Sequence, residues 1–224
     1  MDLSKERQPS DIIAVFDFCE TIVNFQTADS FVIFTANKYG ITRCFLQKSL
    51  QKFLYKTKMV SSLKNKQWIL RTIQGLTVDE LDKAAEEFLE TMIFPNLNLA
   101  LIEKLAWHKR MGHTLVLASG GYAPYLRKFA EKFGINHVVG VELEIHNQRL
   151  TGRISGLNCM GTNKVKKLSS SLDLGIFNLR ESFCYTDHPS DMPLIQLMGH
   201  STIVVSSKTK HRWDPHPGMR FLEL

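Results

Sequence analysis

The fold is set by the stretch Ile12-Ile13-Ala14-Val15-Phe16-Asp17-Phe18-Cys19-Glu20-Thr21. It begins with an uninterrupted apolar run that ends at a carboxylate. Such a run, bounded by polar residues, predicts a buried strand of a parallel sheet. Ligands of open α/β sheets bind just beyond the carboxyl ends of the strands, so we expect Asp17 to lie at a crevice. On this stretch alone, Asp17 fits a nucleophile or metal ligand as well as it fits a strand-capping residue in a tight turn.

Length and composition place the chain among ordinary globular proteins. Its 224 residues are 44% apolar and 22% charged, as in one domain or a core domain with an insertion. No apolar run approaches the roughly 18 residues of a membrane-spanning helix, and residues 1–10 lack the apolar segment of a signal peptide. The four cysteines show no CxxC pairing. These features predict a reduced, cytoplasmic protein without a zinc site or a disulfide framework.

The charge of the chain is strongly positive, with a formal net charge of +6 and a pI of about 9.1. Basic residues gather at 56–58, 64–66, 164–167 and 208–212. The excess either attracts an anionic partner, such as a phosphorylated metabolite, a membrane surface or nucleic acid, or forms a solvated surface. No zinc-finger spacing or RNP-like aromatic motif accompanies it, so a small phosphorylated molecule ranks above nucleic acid as a partner.

A helical insertion is predicted immediately after the first strand. Helical patterns cover residues 27–38, 41–56, 61–74 and 77–92, and the last opens with the capping box Thr77-x-x-Glu80. The aromatic residues of this segment are expected to form a helical core, although Phe45, Tyr55 and Trp68 could partly line a substrate cavity.

The remainder alternates between strands and helices. The patterns predict a helix over 97–111, a strand over 113–118, a helix over 122–133, an antiparallel excursion over 138–154 turning at 147–148, a helix over 161–170, a strand over 183–186, a helix over 189–198, a strand over 202–205 and an irregular tail over 213–224. This alternation predicts a parallel sheet with right-handed crossovers.

Two of the polar residues at strand ends suit phosphoryl chemistry. Asp17 fits a carboxylate nucleophile that attacks phosphorus. Ser119, with the amides of Gly120 and Gly121 at a predicted helix start, fits a phosphate cradle built from a hydroxyl, backbone N–H groups and the helix dipole.

Further charged residues complete the set. Lys164, at another predicted helix start, adds a fixed positive charge. Asp187 and Asp191, with Asp17, supply the hard oxygen ligands that Mg²⁺ prefers. The metal ion and the lysine would reduce the repulsion between carboxylate and phosphate. Each of these residues alone is weak evidence for phosphoryl chemistry, but their order along the chain is specific for it.

The chain resembles the haloacid dehalogenase superfamily, in its phosphoserine-phosphatase-like branch. The family motifs Asp-x-Asp-x-Thr, Ser-Gly-Gly, Lys and Asp-x-x-x-Asp are matched, the first in part, by residues 17–21, 118–122, 164 and 187–191. The resemblance covers residues 11–206. It implies an α/β fold with a three-layer Rossmann-like core (1–23 and 96–224), a helical cap inserted after the first strand (24–95), and Mg²⁺ as cofactor.

The resemblance also implies the site and its activity. It indicates catalytic roles for Asp17, Cys19 and Lys164, substrate contacts by Ser119, Gly120, Gly121, Thr21 and Gln26, and metal binding by Asp17, Cys19, Asp187 and Asp191. At position 19 the metal ligand would be the backbone carbonyl. The implied activity is hydrolysis of a small phosphorylated metabolite through an aspartyl-phosphate intermediate.

The chain departs from the family pattern at Cys19, where the family has the aspartate that acts as general acid and base, a role that contributes about 10²–10⁴-fold. A thiol, of reference pKa ~8.5, beside a metal site and Lys164 is expected to tend toward the thiolate and to be a poor acid. Three explanations stay open. Glu20, a cap residue or a good leaving group sustains hydrolysis; the phosphoryl group passes to another acceptor; or the protein binds a phosphorylated ligand without turnover.

A second departure is Gln26, which stands where phosphoserine phosphatases carry a glutamate that pairs with the serine ammonium. A neutral amide loses that ion pair, which argues against phosphoserine itself. The aromatic insertion and the basic surface instead suit a larger or more apolar phosphate ester, such as a sugar phosphate or a lipid headgroup precursor.

Overall fold

The computed structural model describes residues 11–41, 62–206, 209–213 and 219–224. Its strands are β1 (Ile13–Phe16), β2 (Thr114–Tyr122), β3 (His137–His146), β4 (Arg149–Ser155), β5 (Phe183–Thr186), β6 (His200–Val205) and β7 (Met219–Glu223). They form one seven-stranded sheet in the order β4-β3-β2-β1-β5-β6-β7. Only the β3–β4 pair is antiparallel among these strands. The predicted α/β fold with a mainly parallel sheet is confirmed.

The described residues also contain seven α-helices. They are α1 (Thr27–Lys38), α2 (Ser62–Leu70), α3 (Val78–Phe88), α4 (Leu99–Arg110), α5 (Ala123–Phe133), α6 (Thr162–Ser171) and α7 (Met192–Leu197). A π-helical turn, Leu89–Ile93, continues α3, and a 3₁₀ turn, Pro189–Asp191, precedes α7. None of the helices in the described part of the chain is both long and apolar enough to cross a membrane.

The central position of β1 follows from its composition. All four of its residues are buried, and it pairs in parallel with β2 on one side and β5 on the other. An apolar run of this kind is stable where both faces and both edges of a strand are covered. Since β1, β2 and β5 run in the same direction, their carboxyl ends meet at one edge of the sheet.

The predicted helices of the insertion are present wherever the structure describes them. Helix α1 has the predicted bounds, and the predicted capping box of α3 joins Thr77 and Glu80 in both directions. Helix α2 is shorter than predicted and ends in the 3₁₀ turn Arg71–Ile73. The helix predicted over 41–56, with Phe45 and Tyr55, lies outside the described residues, and Trp68 is half-buried.

Aromatic packing joins the insertion to the sheet layer. The ring of Phe31 in α1 lies 5.3 Å from that of Phe88 in α3 and 5.0 Å from that of Tyr125 in α5. All three residues belong to the hydrophobic core that also contains β1. The insertion and the sheet therefore share one core, and the predicted boundary between a cap at 24–95 and the remainder stays a prediction.

Two predictions at strand ends were wrong. Strand β2 does not stop at Ala118 but continues to Tyr122, because residues 119–121 bulge out opposite the single residue Gly140 of β3. We call residues 119–121 the glycine bulge. The tail is not irregular throughout, since β7 pairs in parallel with β6. The turn predicted at Asn147 and Gln148 is confirmed, and both residues adopt the positive φ that a tight hairpin needs.

A buried pair of histidines lies between α4 and the sheet. His108 Nδ1 is 2.7 Å from His113 Nδ1, and His108 Nε2 is 2.8 Å from the hydroxyl of Tyr185. Burial, together with the neighbouring His113, lowers the pKa of His108 to about 3. Burial also lowers the pKa of His113. Both rings are therefore neutral in the folded chain at physiological pH.

This pair predicts that the protein loses stability in weak acid. An unfolded histidine binds a proton below pH ~6.5, whereas folded His108 does not until about pH 3, so between these values the unfolded state is favoured as pH falls. We expect urea unfolding from pH 6.5 to 4.5 to show a shallower loss of stability in His108→Gln than in wild type, by about 1.4 kcal/mol per pH unit. The exposed His146→Gln should keep the wild-type slope, and an equal slope in all three proteins would contradict the assignment.

Candidate active site

A buried lysine joins the ends of two strands. Lys164, on α6, lies 3.3 Å from Asp17 Oδ1 and 2.5 Å from Asp191 Oδ2. The same oxygen of Asp191 accepts a hydrogen bond of 2.7 Å from Thr186, the last residue of β5. Burial lowers the pKa of Lys164, but the carboxylates of Asp17 and Asp191 outweigh it and raise that pKa above its ordinary value. Lys164 is therefore a permanent ammonium at this edge of the sheet.

Asp17 is held rigidly at the end of β1. Its amide donates to the carbonyl of Tyr185 at 2.9 Å, and its Oδ1 accepts from the amide of Phe18 at 2.7 Å. Burial raises the pKa of Asp17, and the Lys164 ammonium opposes that shift. The side chain has the fixed orientation that a nucleophile or metal ligand requires.

Asp187 carries an unsatisfied buried oxygen. Its Oδ1 accepts from Thr21 at 3.2 Å, whereas Oδ2 has no hydrogen-bond partner among the described residues. Burial, and then the charges of Asp17 and Glu20, raise the pKa of Asp187 to about 8. An unpaired buried carboxylate is costly, and the nearby negative charges add to that cost. Thr21 positions this carboxylate, and its predicted contact with substrate stays a prediction.

The chemistry of this cluster fits a divalent cation. Asp17, Asp187 and Asp191 face one ammonium, Lys164, which leaves a formal charge of −2. In the described part of the chain, no group of three or more His, Cys, Asp or Glu side chains can hold a metal ion by itself. Mg²⁺ commonly takes one or two carboxylates and completes its shell with water and substrate phosphate. Asp191 is engaged with Lys164, and the predicted metal set of Asp17, Cys19, Asp187 and Asp191 stays a prediction.

The glycine bulge lies next to the carboxyl end of β1, because Phe16 pairs with Leu117 two residues before the bulge. Ser119 is fully buried, and its Oγ accepts from the amide of Gly121 at 3.2 Å. A Cβ on Gly121 would lie 2.2 Å from the hydroxyl of Tyr125, so only glycine fits there. Helix α5 begins at Ala123, with Tyr122 at its N-cap. Gly120 and Gly121 therefore lie in the bulge immediately before the N-cap of this helix, and their predicted contact with phosphate stays a prediction.

Cys19 lies in the loop between β1 and α1, which we call the β1 loop, and its side chain contacts α1 and the glycine bulge. Its Sγ is 2.9 Å from Thr27 Oγ1 and 3.8 Å from Ser119 Oγ. Thr27 Oγ1 in turn lies 2.6 Å from the hydroxyl of Tyr125. Burial and the Asp17 carboxylate raise the pKa of the Cys19 thiol. Burial and Asp17 thus favour the thiol, while the tendency toward the thiolate expected beside a metal ion and Lys164 stays a prediction.

Gln26 and Glu20 lie at the outer side of the site. Gln26 is exposed, and its amide donates to Glu20 Oε2 at 2.8 Å. Glu20 also lies 3.9 Å from Arg212. The predicted substrate contact of Gln26 stays a prediction, since its side chain is committed to Glu20 in this structure.

Sequence reasoning missed Lys66. This lysine of α2 is buried, with 8% of its surface exposed, and donates to the carbonyl of Gly120 at 2.6 Å. It also lies 3.4 Å from Asn158 Oδ1 and over the ring of Tyr122. In the sequence it belongs to the basic cluster 64–66, and no local pattern distinguishes it from a surface lysine. Its contact depends on where the glycine bulge lies in the folded chain.

Carboxylates, a buried ammonium and a hydroxyl-lined bulge thus meet at the carboxyl edge of a parallel sheet, which defines an α/β protein with a polar site at the sheet edge. A family model described as haloacid dehalogenase-like hydrolase matches residues 14–196. The chain belongs to this family.

Individual relatives are distant. The chain is 21% identical over 187 residues to a phosphoserine phosphatase from Methanocaldococcus jannaschii, covering 84% of this chain and 82% of that protein. It is 21% identical over 130 residues to a Mycobacterium tuberculosis protein named as a probable phosphatase, covering 58% of this chain. It spans 45%, about half, of that mycobacterial protein's length.

Solved structures share the fold. A Bordetella pertussis Tohama I protein of unknown function superimposes with a TM-score of 0.78 at 19% identity, over 96% of this chain and 99% of that one. A phospho-aspartyl intermediate analogue of a phosphoserine phosphatase gives a TM-score of 0.62 at 16% identity, over 96% and 94% of the two chains. The phosphoserine-phosphatase-like fold, with an insertion between β1 and β2, is thereby confirmed.

The ion-pair cluster makes a testable contribution to stability. Lys164→Met leaves two buried carboxylates without their cation, and breaking a buried pair in this way costs about 3–5 kcal/mol. We expect that loss in urea unfolding at pH 7 without divalent ions. Adding Asp191→Asn to Lys164→Met should restore part of it, because one buried charge is then gone. Lys166→Met, exposed on the same helix, should change stability by less than about 0.5 kcal/mol. A similarly small effect of Lys164→Met would contradict the cluster's role.

Proposed function

We propose that the chain is a Mg²⁺-dependent phosphomonoesterase that hydrolyses a small phosphorylated metabolite through a phosphorylated Asp17. The observation that carries this proposal is the position of Asp17, buried at the end of β1 beside the Lys164 ammonium and the unsatisfied oxygen of Asp187. Membership of the haloacid dehalogenase-like hydrolases supports the reaction class. The relatives named as phosphoserine phosphatases support a phosphate monoester as substrate.

Each side chain has a distinct part in the proposed reaction. Asp17 attacks the phosphorus atom. Lys164 attracts the phosphate and partly neutralises the carboxylates around it, while Asp191 and Thr186 keep the lysine in place. Ser119 and the amide of Gly120 contact the phosphate oxygens from the glycine bulge. Such fixed charges and donors lower the barrier because they are oriented before the reaction begins.

Asp17 and Asp187 are the proposed ligands of Mg²⁺, with the backbone carbonyl of Cys19 as a further one and Asp191 in support. When bound, the ion would neutralise the negative charge shared by carboxylate and phosphate. The division into a core at 1–23 and 96–224 and a cap at 24–95, and the cytoplasmic location, remain parts of this proposal.

Cys19 keeps two alternatives open. It replaces the residue that, by family resemblance, acts as general acid and base, so the same site could pass the phosphoryl group to another acceptor or bind a phosphorylated ligand without turnover. Hydrolysis is the stronger candidate, because the matching family model is described as that of a hydrolase.

A phosphate-release assay tests the proposal. We expect wild type to release phosphate from a panel of phosphorylated metabolites with Mg²⁺, and to lose this activity in Asp17→Asn or with EDTA. The exposed Asp79→Asn should behave as wild type. A silent wild type that Cys19→Asp activates would favour the binding-only alternative. Silence of both proteins on the whole panel would contradict the proposed reaction.

A further inference from the structure

The roles assigned above leave Lys66 unused, although this lysine is buried against the glycine bulge. Its Nζ donates to the carbonyl of Gly120 at 2.6 Å, and Gly120 directly follows Ser119 in the chain. Ser119 Oγ is in turn 3.8 Å from Cys19 Sγ. Helix α2 thus brings an ammonium to the side of the site where Cys19 stands. This is the side on which the family's general acid acts.

Lys66 differs from Lys164 in its partners. Lys164 lies within ion-pair distance of two carboxylates. Lys66 instead donates hydrogen bonds to the neutral oxygens of Gly120 and Asn158. In the described part of the chain, no carboxylate lies within 4.0 Å of Lys66 Nζ. An ammonium held by neutral oxygens can give up a proton far more easily than one fixed between two carboxylates.

The titratable groups around Lys66 come from several elements. They are Cys19 on the β1 loop, Asp29 on α1, Cys159 before α6, and Asp17 at the end of β1. Burial lowers the pKa of Lys66, and these four groups partly oppose that shift. The net effect is a lowered pKa for Lys66, which moves it toward the neutral range in which a side chain exchanges protons efficiently.

The other candidate proton donors are less suited to the task. The thiol of Cys19 is engaged with Thr27 at 2.9 Å. Glu20 is occupied by Gln26 and lies toward Arg212. Lys164 is stabilised as an ammonium by its two carboxylates.

We propose that Lys66 gives the leaving oxygen its proton, in place of the acid that Cys19 replaces. The inference rests on the proposed phosphatase reaction. Asp17 forms a bond to phosphorus, the bond from phosphorus to the alcohol oxygen breaks, and a proton moves from Lys66 Nζ to that oxygen to release the free alcohol. The neutral amine then takes a proton from the water that cleaves the aspartyl phosphate, which restores the ammonium and frees phosphate. A site with its own proton donor suits phosphate esters of aliphatic alcohols.

First-turnover rates on two kinds of substrate test this role. The first is the aliphatic ester hydrolysed fastest from a panel of sugar, glycerol and hydroxy-acid phosphates, and the second is p-nitrophenyl phosphate, whose leaving group needs no proton. We expect Lys66→Met to slow alcohol release from the aliphatic ester by about 10²-fold or more. It should slow the first release of p-nitrophenol much less. Lys83→Met, an exposed lysine on α3, should match wild type on both.

Lys66→Arg separates proton transfer from charge. Arginine keeps a positive charge but holds its proton at every pH of the assay. We therefore expect Lys66→Arg to be as slow as Lys66→Met on the aliphatic ester. Rates near wild type in Lys66→Arg, or equal losses on both substrates in Lys66→Met, would show that the lysine acts only through its charge or through packing. Thermal unfolding of both variants establishes that they are folded.

A second background distinguishes this inference from the proposed function. Cys19→Asp supplies the family's carboxylic acid, so on that background Lys66→Met should cost much less than in wild type. If wild type is silent and Cys19→Asp is active, the phosphatase site is real and the role of Lys66 is wrong. If Cys19→Asp is also silent, the proposed reaction itself fails.

Discussion

The ion pair between Lys164 and the carboxylates of Asp17 and Asp191 is the constraint on which the site depends. It links the end of β1, the start of α6 and the turn after β5 through atoms that are almost completely buried. Without the ammonium, two carboxylates would be buried unpaired at the edge of the sheet. With it, the cluster still carries excess negative charge, and Asp187 Oδ2 has no hydrogen-bond partner among the described residues, which fits the proposed divalent cation.

The insertion after β1 contacts the candidate site as well as the core. Packing between Phe31, Phe88 and Tyr125 fixes α1 and α3 against α5. Through this packing Thr27 reaches Cys19, while α2 carries Lys66 to the carbonyl of Gly120. The insertion therefore supplies polar contacts to Cys19 and to the glycine bulge. Under the proposed roles, a change in the insertion would alter substrate choice and proton transfer more than phosphate binding.

Local patterns predicted the strand ends that carry Asp17 and Asp187, because a short apolar run that ends at a carboxylate can be recognised from the sequence alone. The glycine bulge was missed because its irregular register against β3 is set by long-range pairing. Strand β7 was missed because a short, half-exposed edge strand gains its pairing from β6. Lys66 was missed for a related reason, since only the folded chain shows which lysine of a basic cluster becomes buried.

The central claim is that Asp17 receives the phosphoryl group, and acid quenching during turnover followed by peptide mass spectrometry tests it most directly. We expect one added phosphoryl group on the peptide that contains Asp17, labile to hydroxylamine and absent from Asp17→Asn. Phosphate release with the adduct on another residue, or undiminished turnover in Asp17→Asn, would contradict the claim.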